Sequence, residues 1–578
     1  MLKSMLWFKS MFLLLATAGL VFGDLVLVQD GVSRAPIVVF QDAPPFTRQA
    51  ADELAAYIEK TSGARPQVIE GCPDPIPPRA VWVGYQPVLN KLFPEINFEF
   101  QHPEEILIAA NADHLVIAGR DRWNPEHLKV SYLKPLGGAK PGGRGTVEVD
   151  GVQLEYGTAN AVYTFLQDYL GVRWFWPGAY GEDVREQKTI AFAPFEYRYH
   201  PQFRGRAGLL FHSHLAMGAG HSQEWVRKQR LQLDSLWLQS WHPLSYWWNE
   251  FNETHPDYFA LQPDGTRSGW PGPRGAKFCE SNPAVWEEWL RYVARELKRY
   301  PNQTVFSAAA NDGGAQGYCV CENCRAWDPP EGETIRFIWD GFSEERVGLA
   351  GRQITYANHL GRLLKERYPD KDYYVSIMAY GNSRPAPVQA VPDDNVYVDM
   401  VFNLHNRHEM GWGESAADHR RMLLEWGAKG FKNLGWRPNM GTAAGWKLGM
   451  PNVAMRRAMD DLRLVAENNV ASITVDTLWE HWANQGPYYY ILAQLVWNPY
   501  ADGVAIMDDY YRRAFGPAAD IMREYWEMME NTSEEIIFQG KTMAEVWNDD
   551  FYRSGYTLLE RAVRQLAGAP EIYAQRVG

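Results

Sequence analysis

The chain has 578 residues, 46% of them hydrophobic and 22% charged, with a net charge of −13. That length exceeds one ordinary domain and allows a large core, and the composition excludes a disordered or fibrous protein. Acidic and basic residues are interspersed with no basic footprint for phosphates, which excludes nucleic acid as the main partner.

The N-terminus reads as an export signal. Lys3 and Lys9 form a positive start, Met11 to Phe22 are almost uniformly apolar, and Gly23 before Asp24 suits cleavage. The apolar run is too short to span a bilayer comfortably, and no later run of about 18 apolar residues appears. The expectation is a signal peptide over 1–23, a secreted or periplasmic protein, and no integral membrane span after cleavage.

Residues 24–200 read as an α/β domain. Leu25 to Val28 and Ile37 to Phe40 are β-like, and Arg48 to Ser62 is helical because Ala51, Leu54, Ala55 and Ile58 recur at i, i+3, i+4 and i+7. Ala80 to Gly84 and His114 to Gly119 read as buried strands, and Gly157 to Leu170 as a helix. Gly137 to Gly145 lacks the P-loop Lys-Ser/Thr and reads as a loop.

Residues 201–500 repeat strand and helix in the manner of a (β/α)8-like catalytic barrel. Candidate strands are Leu209 to His212, Ser235 to Gln239, Thr304 to Ala309, Tyr374 to Ala379, Val396 to Val401, Lys432 to Trp436 and Ser472 to Val475. An eighth strand or an inserted hairpin is expected near Tyr258 to Arg267. Helices are expected over Pro283 to Tyr300, Gln353 to Tyr368, Ala416 to Lys429 and Met455 to Glu467. Residues 501–578 read as helical, ending at Gly578 in what looks like the start of a helical domain.

The aromatic content is 14%, with 24 Trp and 30 Tyr. Such rings stack on the apolar faces of sugars while the Trp N–H and Tyr O–H stay free to hydrogen-bond. Trp237, Trp241, Tyr246, Trp247 and Trp248 are interrupted by His242, Ser245 and Asn249, polar groups that a dry core tolerates poorly.

Several stretches carry a family resemblance. AADELAAYIEKTSGARP, GTANAVYTFLQDYLGVRWFWPG and GEDV resemble the N-terminal domain of bacterial α-glucuronidases and β-hexosaminidases. ETHPDYFAL, FCESNPAV and AANDGGAQGYCVCENC resemble a family long of unknown function, part of which is glycoside hydrolase family 163, endo-β-N-acetylglucosaminidases acting on complex N-glycans. The resemblance implies a barrel hydrolase and an oligosaccharide or glycan substrate, on a scaffold whose loops diversify.

Glycoside hydrolysis needs an acid for the leaving oxygen and a second group, and in a barrel both belong at strand C-terminal ends. Asn311-Asp312, closed by Gly313-Gly314, follows one candidate strand, and Glu480 follows another among Trp479, His481 and Trp482. Asn311 is expected to orient a substrate 2-acetamido group in a substrate-assisted retaining reaction, with Asp312 as acid. Asn-Asp-Gly-Gly is also an ordinary turn sequence, and Glu480 could be a charge at the barrel rim.

Sugar contacts are expected from His214, Trp241, His242, Tyr380, His405, Trp436, Arg437 and Trp479. A metal at the histidines is the weaker reading, so no cofactor is expected for catalysis. Cys319, Cys321 and Cys324 form Cys-x-Cys-x-x-Cys, with Cys279 upstream. They suit a closed structural zinc site, while disulfides are the rival favoured by export. Two alternatives to the hexosaminidase-like reading remain: an α-glucuronidase-like enzyme with two carboxylates, with Arg437 or Arg206 binding the sugar carboxylate, and a non-catalytic carbohydrate-binding protein on the same scaffold.

Overall fold

The computed structural model describes residues 23–578 except 125–129, 136–143, 150–151, 213–218, 232–237, 239, 301–302, 405–414, 439–452, 480–481 and 540. The expected signal segment therefore lies outside the described residues. The chain divides into two compact units. One takes residues through Arg120 together with Gly157–Gly171 and Val184–Tyr199; the other takes Asp121–Tyr156, Val172–Asp183 and His200–Gly578.

The first unit is built on a six-stranded sheet in the order Phe195–Tyr199, Ile106–Ala110, His114–Gly119, Ala80–Val83, Ile37–Val39 and Val68–Glu70. The last four run parallel, and the first three pair antiparallel. Ala80–Val83 is buried along its whole length, as expected of a parallel strand covered on both faces. The helix Pro45–Ser62 buries Ala51, Leu54, Ala55 and Ile58, the stripe that its spacing predicts. It begins three residues earlier than its apolar pattern because Pro45 occupies the first turn, where a missing N–H costs nothing. Gly63, at φ 87, ends it.

The second unit centres on a six-stranded parallel sheet: β1 (Gly205–His212), β2 (Val305–Ser307), β3 (Tyr374–Ala379), β4 (Val396–Met400), β5 (Leu434–Trp436) and β6 (Val470–Trp479). The spatial order is β1-β6-β5-β4-β3-β2, so the chain steps round the sheet in sequence and returns beside its start. The helices α1 (Pro283–Arg299), α2 (Ala350–Arg367) and α3 (Ala416–Ala428) begin and end within three residues of the sequence expectation, and α4 (Met455–Glu467) matches it at both ends. Their starts are chemically marked. Asn282 accepts from the Ala284 N–H before Pro283, and Ser415 and Asp418 form a capping box.

The segment Leu238–Trp241 shows that this sheet curls into a half-barrel. Ser472 of β6 donates its hydroxyl to Leu238 O at 2.8 Å, Asp399 of β4 accepts from the Ser240 N–H at 3.0 Å, and the Ser307 hydroxyl of β2 accepts from the Trp241 N–H at 3.2 Å. Strands near opposite ends of the order can reach one tetrapeptide only if the sheet bends around it. The expected strand Ser235 to Gln239 otherwise lies outside the described residues. No strand forms over Tyr258 to Arg267: the chain makes a helical turn at Pro256–Tyr258 and one bridge from Phe259 to Phe278. The hairpin Thr334–Trp339/Phe342–Val347 was not legible in the sequence. Of the glycine-rich stretch, residues 137–143 lie outside the described residues, and Arg144 and Gly145 begin a strand that pairs with Val130–Pro135.

After β6 the chain is helical: Trp482–Trp497, Gly503–Phe515, Ala519–Gln539, Asp549–Gln565 and Glu571–Val577 are its main helices. Buried Arg513 bonds Asp183 through two nitrogens, and Arg173 meets Asp509 at 2.8 Å, so ion pairs tie this helical region to Val172–Asp183 within the unit. Among the described residues no helix is long and apolar enough to cross a membrane.

Curling places side chains close together inside the half-barrel, and Gly435 of β5 shows how tightly. A Cβ there would lie 1.6 Å from the Tyr397 hydroxyl and 2.9 Å from Asp399 Oδ1. Gly435→Ala should therefore cost about 1–3 kcal/mol from overpacking, read as a lower urea midpoint with unchanged m-value. An unchanged midpoint would show that the interior has slack that this packing denies.

Candidate active site

The sheet presents a mouth at the C-terminal ends of its strands, where parallel α/β architectures hold their ligands. Asp312 lies five residues beyond β2 and Tyr380 directly follows β3. Their loops touch at two glycines: a Cβ on Gly381, at φ +57, would lie 2.7 Å from the Gly314 carbonyl carbon. Only glycine allows this backbone approach without strain, and the approach brings the Tyr380 hydroxyl to 3.3 Å from Asp312 Oδ1. The same oxygen accepts from the Gly313 N–H at 2.8 Å.

His242 completes the group from the segment that the half-barrel encloses. Its Nδ1 lies 2.6 Å from Ala310 O. A carbonyl can only accept, so Nδ1 carries the proton and neutral His242 keeps its lone pair at Nε2. The His242 and Tyr380 rings lie 5.9 Å apart. Lys277, buried beneath the loop, donates to Asn311 O and to Asp312 O, the latter at 3.0 Å.

Electrostatics separate these groups. Burial pulls up on the Asp312 carboxyl, but His242, the Gly313 N–H, the Tyr380 hydroxyl and Lys277 together hold it below the ordinary carboxylate range. Burial lowers His242, against the pull of Asp312 and the Ala310 contact, and it raises Tyr380, aided by the Asp312 charge. Burial also lowers Lys277, to about 8, against the attraction of Asp312 and Glu280. At neutral pH the mouth thus holds an anionic carboxylate, a neutral imidazole and a neutral phenol.

The structure gathers Asp312, Tyr380 and His242, adds Lys277, and holds Trp241, next to His242, through its backbone on the Ser307 hydroxyl. Nothing in the sequence singles out Lys277; its only mark is its place two residues before Cys279. Asn311 is buried, and its Nδ2 donates to Ala276 O at 2.9 Å and Leu244 O at 3.4 Å. Its Nδ2 is therefore spent on the loop's own scaffold, while its buried Oδ1 has no hydrogen-bond partner among the described residues and keeps the acceptor that the expected acetamido-orienting part needs. Trp436 is corrected as a sugar contact: it is fully buried, and its Nε1 donates to Phe402 O at 2.8 Å.

Arg437, half-buried, donates to Ser240 O. Arg206 is buried, bonded to Phe203 O and Arg230 O, and lies over the Trp497 ring, so it is wall and not carboxylate receptor. Trp247 and Trp248 pack on Phe251, Phe278 and Phe259, which makes them core of the extension before α1. Glu480, His214 and His405 lie outside the described residues; Trp479 ends β6, with its side chain outside them too.

Cys279, Cys319, Cys321 and Cys324 converge, their sulfurs all within 4.8 Å of one another. Cys279 Sγ lies 3.7 Å from Cys321 Sγ and 3.9 Å from Cys324 Sγ, and no disulfide forms among the described residues.

Residues 180–527 match the model of a domain of unknown function, DUF4838, and the chain belongs to that family. No curated protein matches it in sequence. Among solved structures, CpGH84D is similar at 8% identity over 96% of this chain and 83% of its own, with a TM-score of 0.46. A Flavobacterium johnsoniae chitobiase is similar at 9% identity over 95% and 87%, with a TM-score of 0.42. A Streptomyces plicatus N-acetyl-beta-hexosaminidase is similar at 10% identity over 88% and 94%, with a TM-score of 0.38.

The state of His242 can be tested through stability. Its folded pKa is depressed, so the unfolded chain binds more protons than the native one as pH falls past about 6.5. The stability that neutral His242 contributes is complete above that value and is lost as pH falls through the folded pKa. An asparagine can keep the donor to Ala310 O without titrating. The stability difference between the parent and His242→Asn should therefore shift against the parent from pH 7 to pH 5 in urea unfolding. A difference independent of pH would mean that the ring is not held neutral.

Proposed function

We propose that this protein is a glycoside hydrolase acting on N-acetylhexosamine-containing glycans, with Asp312 at its reaction centre and a (β/α)8-type barrel as its scaffold. The observation that carries the reading is the Asp312 carboxylate, held ionised at the C-terminal mouth of a curled parallel sheet between Tyr380 and His242.

Breaking a glycosidic bond builds positive charge at the anomeric carbon, and a pre-placed anion stabilises that charge without reorganising when it appears. An ionised Asp312 suits this role better than that of acid. It can also accept the N–H of a 2-acetamido group and hold the acetamido oxygen for attack on the anomeric carbon, a task for which Asn311 Oδ1 offers a second open acceptor. The leaving oxygen then needs a proton from elsewhere. Glu480, next in the chain after the last residue of β6 and flanked by Trp479, His481 and Trp482, is our candidate. An aromatic surround raises a carboxyl pKa and keeps its proton available near neutrality. Trp241 and Tyr380, both half-buried, offer ring faces for a sugar. The N-terminal export signal would deliver the enzyme to the periplasm or the exterior, where glycans are met.

A panel of N-glycans and aryl glycosides tests the reading. Cleavage at N-acetylglucosamine is expected, with plain glucosides spared because they lack the internal nucleophile and its high effective molarity. Thiazoline mimics of the cyclised intermediate should inhibit strongly. Asp312→Asn should lower kcat about 10²–10³-fold, the cost of removing one preorganised charge-stabilising group, with the fold retained. Turnover of a glucuronide with no thiazoline inhibition would sink the acetamido mechanism, and full activity in Asp312→Asn would remove Asp312 from the centre. Glycan binding without turnover of any substrate would mark a carbohydrate-binding protein.

A further inference from the structure

We infer that Cys279, Cys319, Cys321 and Cys324 hold one zinc ion in a closed, four-thiolate site, and that this ion staples together the two chain segments supporting Asp312. The inference stands on the cysteine geometry and does not depend on the hydrolase reading.

A tetrahedral ion with Zn–S bonds of about 2.3 Å needs sulfurs about 3.8 Å apart. The observed 3.7 and 3.9 Å from Cys279 to Cys321 and Cys324 fall on that edge length, and all four sulfurs share one 4.8 Å cluster. Two disulfides would instead draw the sulfurs into two pairs about 2.05 Å apart. One shared centre is the simpler description of four mutually close sulfurs.

A second observation concerns the electron density that the sulfurs offer. Cys319 Sγ accepts from the Leu261 N–H at 3.2 Å, and Cys321 Sγ accepts from the Cys324 N–H at 3.4 Å while capping the turn Glu322–Arg325. Backbone N–H groups aimed at sulfur favour thiolate, the form in which cysteine binds metal, and they are the outer contacts that fix ligand orientation. The Ser281 hydroxyl adds a contact to Cys324 Sγ at 3.1 Å. Three of the four cysteines are buried, and four thiolates fill all four positions of a tetrahedral ion, leaving none open. That is the signature of a structural site.

The location gives the ion its task. Cys279 closes the segment whose Lys277 donates to Asn311 O and Asp312 O and whose Ala276 carbonyl accepts from Asn311. Cys319, Cys321 and Cys324 close the segment that runs on from Asp312. Arg352 of α2, fully buried, braces the same loop by donating to Cys319 O at 2.9 Å and to both oxygens of Asp328. Four bonds to one ion would join the 276–279 and 311–324 segments covalently in effect. Binding releases the thiol protons to solvent and leaves no redox change to balance.

The full-length protein as purified is the test material. Elemental analysis after exhaustive desalting should find one zinc per chain, and X-ray absorption should show four sulfurs at about 2.3 Å. Cys324→Ser should lose the zinc and Cys72→Ser, at the exposed cysteine, should keep it. Should Cys324→Ser fail to fold, the parent's zinc content and absorption spectrum still decide the matter. No zinc with two mapped disulfides, iron in its place, or zinc retained by a folded Cys324→Ser would each overturn the assignment. Stripping the metal with a mercurial should speed amide exchange in 257–282 and 311–327 at least tenfold while leaving His114–Gly119 protected; unchanged exchange in those segments would overturn the staple.

Discussion

The second unit depends on a buried polar knot inside its curled sheet. Asp399, fully buried on β4, accepts the Ser240 N–H and the Tyr397 hydroxyl, the latter at 3.2 Å. Ser307 and Ser240 meet at 3.0 Å, and Ser472 holds Leu238 O. A buried carboxylate without partners is expensive, so Asp399 has strong reason to hold the 238–241 segment in one register. Non-directional packing of Leu238 against Val305 and Tyr397 would tolerate sliding; the hydrogen bonds do not.

The site inherits its geometry from that knot. Trp241 and His242 follow Ser240 directly, so fixing Ser240 delivers the imidazole to Ala310 and Asp312. From the other side, the loops beyond β2 and β3 are held by the Gly314–Gly381 approach and by Lys277. None of these contacts is long-range chemistry. Each is a short tether between consecutive strand ends, and the parallel sheet places those ends at one face.

What the sequence made legible was periodic. The Ala51, Leu54, Ala55, Ile58 stripe, the helices expected from Pro283 and from Ala416, and the apolar runs of β3 and β4 each declare themselves locally, and the structure forms these elements within a few residues of their expected ends. Asp312, Tyr380 and His242 were legible for a related reason: polar residues just past apolar runs are where a parallel sheet exposes its ends. The hairpin after the cysteines was not legible, because its apolar residues, among them the consecutive Phe337, Ile338 and Trp339, show no clean alternation with Arg336, Glu344, Glu345 and Arg346. Tertiary partners decided the other differences. Trp436 is of the right type for a sugar contact, yet the Phe402 carbonyl claims its donor. The Trp247-Trp248 pair suggested a sugar platform by its polar neighbours, but those neighbours sit at the edge of a small aromatic core.

The division of labour at the mouth follows from where protons are held. Tyr380 is raised by burial and by the Asp312 charge, so its hydroxyl proton is a donor in a hydrogen bond and not one to give away. His242 is lowered and shares its one proton with Ala310 O, which makes it an acceptor at Nε2. Asp312 is stabilised as an anion. Asp312, Tyr380 and His242 thus supply negative charge and hydrogen-bond capacity, and the proton that Lys277 carries, its pKa lowered to about 8, is engaged with Asn311 O and Asp312 O. Under the hydrolase reading the acid must arrive on another strand's loop. Of the residues immediately following the strands of this sheet, Tyr380 has been accounted for, Arg437 is cationic, and Glu480 alone carries a carboxyl. A cleft runs both halves of acid–base chemistry near neutral pH when its two titratable groups sit in environments that push their pKa values apart, and on this reading Asp312, held by donors, is the half that stays ionised.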